Sequence, residues 1–212
     1  MTKVQSLFLP GPAGRIEALV KFDNGDPPRG LAVICHPHPL HQGTMHNKVV
    51  FAVADAFFRL GCVTVRFNFR GVGLSAGRYD HGRGEIEDAL AAIRFLRQLH
   101  PHLPCHAAGF SFGAWIALEV ARQETALASL TAVAPPFRHF EPDFLRELFL
   151  PKLFLQGTQD DICPTGDLLE RYPGFAEPKE LVLLEGAGHF FGRQISDLKE
   201  AIQSHRTFLG LS

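Results

Sequence analysis

The chain has 212 residues, of which 46% are hydrophobic and 20% charged, and its formal net charge is −1 at pH 7. That much apolar material supports one core of good size and excludes a disordered tail or adaptor. The near-neutral balance leaves no electrostatic footprint for nucleic acid or an anionic membrane surface.

Read in chain order, "MTKVQSLFLPGPAG" is too short an apolar run for a secretory signal. "SLFLPGPAGRIEALVKF" places two short apolar runs around a Pro/Gly turn and predicts a hairpin. "GLAVIC" predicts a buried strand, and Lys48 to Leu60 a helix stopped by Gly61. The longest apolar stretch, Val49 to Phe58, contains Asp55 and falls short of a membrane span. "CVTVRFNF" is β-branched and aromatic, hence a strand. Glu85 to His100 has helical apolar spacing and stops before Pro101. "CHAAGF" predicts a strand, Phe112 to Gln123 a helix, and "ASLTAVA", "KLFLQG" and "ELVLLEG" three more strands. A last helix is expected from Ile195 to Leu209. Four scattered cysteines, Cys35, Cys62, Cys105 and Cys163, form no C-x-x-C pair and predict reduced, buried thiols in a cytoplasmic protein.

No repeat, low-complexity tract or charge block interrupts this pattern, so residues 1–212 are expected to form a single domain. Strands alternating with helices mean an α/β fold, a mostly parallel sheet covered on both faces. Ligands in such sheets sit at the carboxyl ends of the strands, so function is expected in the loops that follow them.

The loop after "GLAVIC" is "CHPHPLHQGTMH", with His36, His38, His41 and His46 in eleven positions. Alone it resembles a metal site, but no carboxylate accompanies the histidines, and the rest of the chain supplies another chemistry. "GFSFG", Gly109 to Gly113, stands between a strand and a helix. A turn that sharp needs glycines two before and two after the serine, and it lifts the Ser111 hydroxyl above the sheet. A serine hydroxyl needs a base to take its proton and an acid to orient that base. "LFLQGTQDDICP" offers Asp160 and Asp161 after one strand, and "LVLLEGAGHF" offers His189 after the next. Of the two histidines downstream of the aspartates, His205 is expected on the packed face of the last helix, with Leu198, Ile202 and Leu209. His189 is therefore the expected base. Asp160, three past the turn glycine Gly157, is better placed than Asp161 to face it.

With these residues in hand the chain resembles the α/β hydrolases, specifically the small bacterial serine hydrolases without a lid. The resemblance runs through "CHPHPLHQGTMHNKVV", "LGCVTVRFNFRGVGLSAG", "DHGRGEIEDAL", "AGFSFGA", "GTQD" and "GAGHFF". It implies Ser111, Asp160 and His189 as a catalytic triad, an eight-stranded sheet with the hairpin at one edge, and no cofactor or metal. Two positions depart from the group's pattern: Gln42 stands where a second glycine is usual, and His46 where an aspartate is usual.

In such hydrolases the first loop donates one backbone N–H to the oxyanion and the residue after the serine, Phe112, the other. Pro37 and Pro39 have no N–H, so the loop donor is His38 or Leu40, and the resemblance favours His38. "RGVGLSAG" lacks the G-K-[ST] of a phosphate cradle and reads as a structural wall. The expected activity is hydrolysis of an acyl ester on a small soluble substrate, with thioesterase or peptidase chemistry, or a vestigial binding role, as alternatives. Pro135 to Pro151 has room for one short helix, Asp143 to Phe149, so the cleft is expected to be open. Leu40, Phe137 and Phe140 are the expected apolar contacts for the acyl group.

Overall fold

The computed structural model describes residues 1–23 and 25–211. Its strands are β1 (Thr2–Gly11), β2 (Gly14–Asp23), β3 (Gly30–Cys35), β4 (Cys62–Phe67), β5 (Cys105–Phe110), β6 (Leu127–Val133), β7 (Lys152–Gly157) and β8 (Lys179–Leu184). They form one eight-stranded sheet in the order β1-β2-β4-β3-β5-β6-β7-β8. β1 and β2 pair antiparallel as the predicted edge hairpin, and β2 joins β4 antiparallel. Every pairing from β4 to β8 is parallel.

Among the described residues five α-helices cover the sheet: α1 (Lys48–Arg59), α2 (Arg83–Leu99), α3 (Phe112–Gln123), α4 (Thr165–Arg171) and α5 (Ile195–Ser204). The period of two along the strands divides the core. Leu31, Val33 and Cys35 of β3 face the cluster under α2 and α3, while Ala32 and Ile34 face the cluster under α1 and α5. Both faces of the central strands are thus covered, which is why β3, β5 and β7 are buried along their whole length.

Local chemistry sets the helix ends. The Asn47 side chain accepts from the Val49 and Val50 N–H groups at 2.8 and 3.4 Å and starts α1. The Glu85 carboxylate turns back to the N–H groups of Gly82 and Asp80, which lets α2 begin at Arg83, two residues before the predicted start. The last helix stops at Ser204, not Leu209. Both the Ser204 hydroxyl and the His205 ring bond to the Ala201 carbonyl, in competition with the helical ladder. His205 is therefore a helix-end residue, 2.8 Å from Glu180 of β8, and not a member of the packed face. α4 was not foreseen: it is short, contains Gly166 and is enclosed by Pro164 and Pro173.

The "RGVGLSAG" loop is a structural tie. Arg70 makes a bidentate pair with the buried Asp88 of α2 at 2.8 and 3.0 Å. Ser75 accepts from Glu17 of β2 and donates to the Asn68 carbonyl. Between β6 and β7 the expected helix is a 3₁₀ turn, Asp143–Arg146. All four cysteines are buried and unpaired. No described helix is long and apolar enough to cross a membrane.

Candidate active site

Ser111 lies between β5 and α3 with φ 54° and ψ −121°, a backbone conformation that a residue with a side chain adopts only under constraint. The constraint is close approach on both sides. A Cβ on Gly109 would strike the Gly113 carbonyl, and one on Gly113 would strike the carbonyls of Cys35 and His36. The Ser111 N–H donates to the Val133 carbonyl at 2.9 Å, and its own carbonyl accepts from Ala114 and Trp115 in the first turn of α3. The hydroxyl is thereby held at the carboxyl edge of the sheet.

Nε2 of His189 stands 3.1 Å from Ser111 Oγ. Nδ1 of the same ring stands 2.8 Å from Asp160 Oδ2. A carboxylate accepts, so Nδ1 carries the proton and Nε2 is left with a lone pair toward the serine. Asp160 is 6% exposed and His189 5%. The ring lies against Phe110, with centroids 4.9 Å apart, and edge-on to Phe190 at 5.1 Å. Asp160 is saturated: Oδ1 accepts from the N–H groups of Ile162 and Cys163 at 3.0 and 2.7 Å, and Oδ2 also accepts from Gln156 Nε2 at 3.1 Å. The Gln159 N–H reaches the Ala187 carbonyl at 2.9 Å and so ties the loop of Asp160 to that of His189. Asp161 is exposed and lines the hollow beside His189 with Ile162, Phe190 and Arg193.

The histidine-rich loop does not converge on a common centre. His36 is fully buried; its Nε2 accepts from the Phe69 N–H at 3.0 Å and its Nδ1 faces the Pro37 carbonyl at 2.6 Å. Burial pushes its pKa down to about 4, so it serves as a neutral clamp between the loops after β3 and β4. His38 Nδ1 accepts from the Leu40 N–H at 3.2 Å, which leaves Nε2–H to donate to the Tyr79 hydroxyl at 3.2 Å. Burial first, then the neighbouring His41, His139 and His81, hold the His38 ring below the usual imidazole range. His41 and His46 are exposed. Gln42, the departure from the glycine pattern, occupies the left-handed region at φ 62°, where a glycine would sit without strain.

These contacts separate the two candidate oxyanion donors. The Leu40 N–H is engaged by the His38 ring, whereas the His38 N–H takes no part in the hydrogen bonds of its turn, whose carbonyl accepts from His41 and Gly43. The rings of His38 and Phe112 lie 4.9 Å apart, so the loop and the start of α3 meet beside Ser111. Leu40 is 69% exposed at the loop surface. The expectation for Phe137 is corrected: it is 2% exposed, with its ring against Phe154 and Phe175, and packs the loop onto the sheet instead of facing an acyl chain. Phe140 is half-buried and stacked on Trp115 at 5.7 Å.

Three positions around the site escaped the sequence reading. Gln156 is a polar residue inside an apolar strand, a signal that was available. Tyr79, one of two tyrosines in the chain, carried no pattern of its own. Cys163 follows Asp160 by three residues, and its sequence context marks it only as a buried thiol.

The family model described as serine aminopeptidase, S33, matches residues 26–149. An uncharacterised protein of Rickettsia prowazekii is 32% identical over 94% of this chain and 87% of its own. A solved α/β serine hydrolase homologue from Coxiella burnetii is 40% identical, covers 95% of this chain and 96% of its own, and superposes with a TM-score of 0.90. A solved α/β serine hydrolase without a lid, from Xanthomonas campestris, is 33% identical over 97% of this chain and 94% of its own, with a TM-score of 0.89.

Proposed function

The chain belongs to the α/β serine hydrolases of the serine aminopeptidase S33 family, and from that premise we propose that it is a lidless carboxylesterase acting on small soluble acyl esters. The observation that carries this reading is the unbroken relay from Ser111 through His189 to Asp160, with contacts of 3.1 and 2.8 Å. Ser111 Oγ attacks the ester carbonyl as its proton passes to His189 Nε2. Asp160 holds the imidazolium that results. Negative charge on the carbonyl oxygen is met by the N–H groups of His38 and Phe112, and one such donor is worth about 10²–10³ in turnover. Collapse expels the alcohol with a proton from His189, and water then releases the acid by the same route.

Esters are favoured over peptides by the surroundings of the base. Aminopeptidase action needs a carboxylate to hold the substrate's ammonium group. The hollow beside His189 offers Asp161 but sets Arg193 in the same lining, which offsets that charge. An amide also needs more binding energy at remote contacts than an open cleft supplies. Supporting the soluble substrate is the short span from β6 to β7, which carries only a single 3₁₀ turn.

A panel of short acyl esters, acyl thioesters and aminoacyl amides tests the reading. Fastest turnover on short acyl esters is the expected result. Turnover of aminoacyl amides with none of esters would replace the esterase by a peptidase on the same relay.

A further inference from the structure

Asp160, Cys163 and His189 each direct one ligand atom into a common space: a carboxylate oxygen, a thiol sulfur and a ring nitrogen. These atoms all lie within 4.8 Å of one another, and the three residues are 6%, 5% and 5% exposed. Among the described residues this is the one set of three such donors that meets that spacing, and it includes none of the histidines of the loop after β3. The thiol is held there by the backbone. The Cys163 N–H donates to Asp160 Oδ1 at 2.7 Å, and Gln156 Nε2 clamps the Cys163 carbonyl at 2.8 Å together with Asp160 Oδ2. A carboxylate, an imidazole and a thiol in one pocket suit a borderline or soft cation, whereas Mg²⁺ and Ca²⁺ take oxygen donors. The hollow lined by Asp161, Ile162, Gly188 and His189 gives a path from solvent, with the exposed Asp161 carboxylate along it.

We propose that Asp160, Cys163 and His189 form an inhibitory site for a thiophilic divalent cation, such as Zn²⁺ or Cd²⁺, inside the hydrolytic relay. The effect on activity rests on the serine-hydrolase reading; the binding does not. On binding, Cys163 gives its thiol proton to solvent and coordinates as thiolate. Asp160 exchanges its bond to His189 for one to the ion. Coordination through Nδ1 moves that nitrogen's proton to Nε2, so the ring no longer has a lone pair for the serine proton. Coordination through Nε2 occupies the lone pair directly. Either way one proton is released per ion and the base is lost while the ion stays.

The test uses the full chain, stripped of metal with EDTA and titrated with Zn²⁺, Cd²⁺, Mg²⁺ or Ca²⁺. Two readouts run together: short-ester turnover and the ultraviolet charge-transfer band of a cadmium–thiolate bond. Zn²⁺ and Cd²⁺ are expected to abolish turnover, EDTA to restore it, Mg²⁺ and Ca²⁺ to leave it unchanged, and Cd²⁺ to produce the band. Cys163→Val keeps the backbone donors to Asp160 and is expected to hydrolyse esters in metal-free buffer. Its half-inhibitory Zn²⁺ concentration is expected to rise at least about 100-fold, the upper end of what even an outer-shell partner contributes to a metal site. Its cadmium band is expected to vanish. Cys163→Ser, which loses only the sulfur, repeats the test if the valine variant fails to fold. Wild-type turnover indifferent to Zn²⁺ and Cd²⁺, or inhibition and band unchanged in the Cys163 variants, would overturn the cation site and leave the hydrolase reading standing. A Cys163-dependent band in a protein that hydrolyses no ester would uphold the site and overturn the hydrolase reading.

Discussion

Asp160 Oδ2 lies 2.8 Å from His189 Nδ1, while Asp161, the next residue, is turned out to solvent. The difference comes from the turn after β7. Two backbone N–H groups and the Gln156 amide fix Asp160 under the ring, and Asp161 has no part in that net. Asp160→Asn is expected to lower turnover by about 10⁴, since an amide facing Nδ1 favours the wrong tautomer. Asp161→Asn is expected to change it by little. Steady-state kinetics on both variants check the ranking, and the reverse order would move the role to Asp161.

His38 is pinned through its own ring, between the Leu40 N–H and the Tyr79 hydroxyl. Tyr79→Phe removes one neutral hydrogen bond and frees the ring of His38, the proposed oxyanion donor. A net bond of about 0.5–1.5 kcal/mol corresponds to a loss of roughly 2–13-fold. The loss is expected in kcat with KM little changed, because the bond positions a group used in the transition state. A pure KM effect would assign Tyr79 to substrate binding instead.

Acid is expected to destabilise the fold through two buried histidines. Burial pushes both His36 and His106 from the ordinary value of 6.5 down to about 4. Between those values the unfolded chain takes up protons that the folded chain refuses, so stability falls as pH drops from about 6.5 toward 4. Above that window the two rings contribute no pH dependence. The slope is at most about 1.4 kcal/mol per pH unit for each ring. Urea midpoints at pH 7.5, 6 and 5 read it out; a midpoint that does not move would refute the account of these two rings.

The open cleft gives a kinetic signature. With only a 3₁₀ turn between β6 and β7, nothing comparable to a hinged domain stands over Ser111. Rate is expected to follow dissolved substrate smoothly through its solubility limit, and short acyl chains to outrun long ones. An abrupt rise on emulsion formation would reveal a moving cover.

Much of this architecture was legible in the sequence because the parallel sheet writes itself as short β-branched runs, each closed by a turn. The elbow was legible for a stronger reason: Gly109 and Gly113 are demanded by carbonyls that would collide with any side chain there. What stayed hidden depends on tertiary contacts. Phe137 reads as a cleft residue until its ring is seen against Phe154 and Phe175. α4 is too short for periodicity to register. Tyr79 acts on His38 from a loop 41 residues away, and no local pattern encodes such a partner, whereas Gln156 stands only four residues before Asp160 and shows in the sequence as a polar residue in an apolar strand.

The central claim is that Ser111 is the nucleophile, and covalent capture tests it most directly. Incubation with a serine-directed phosphonate, followed by peptide mass spectrometry, is expected to place a single adduct on Ser111. Ser111→Ala, folded as judged by circular dichroism, is expected to take up no label and to turn over no ester. Undiminished labelling or ester turnover in that folded variant would contradict the account.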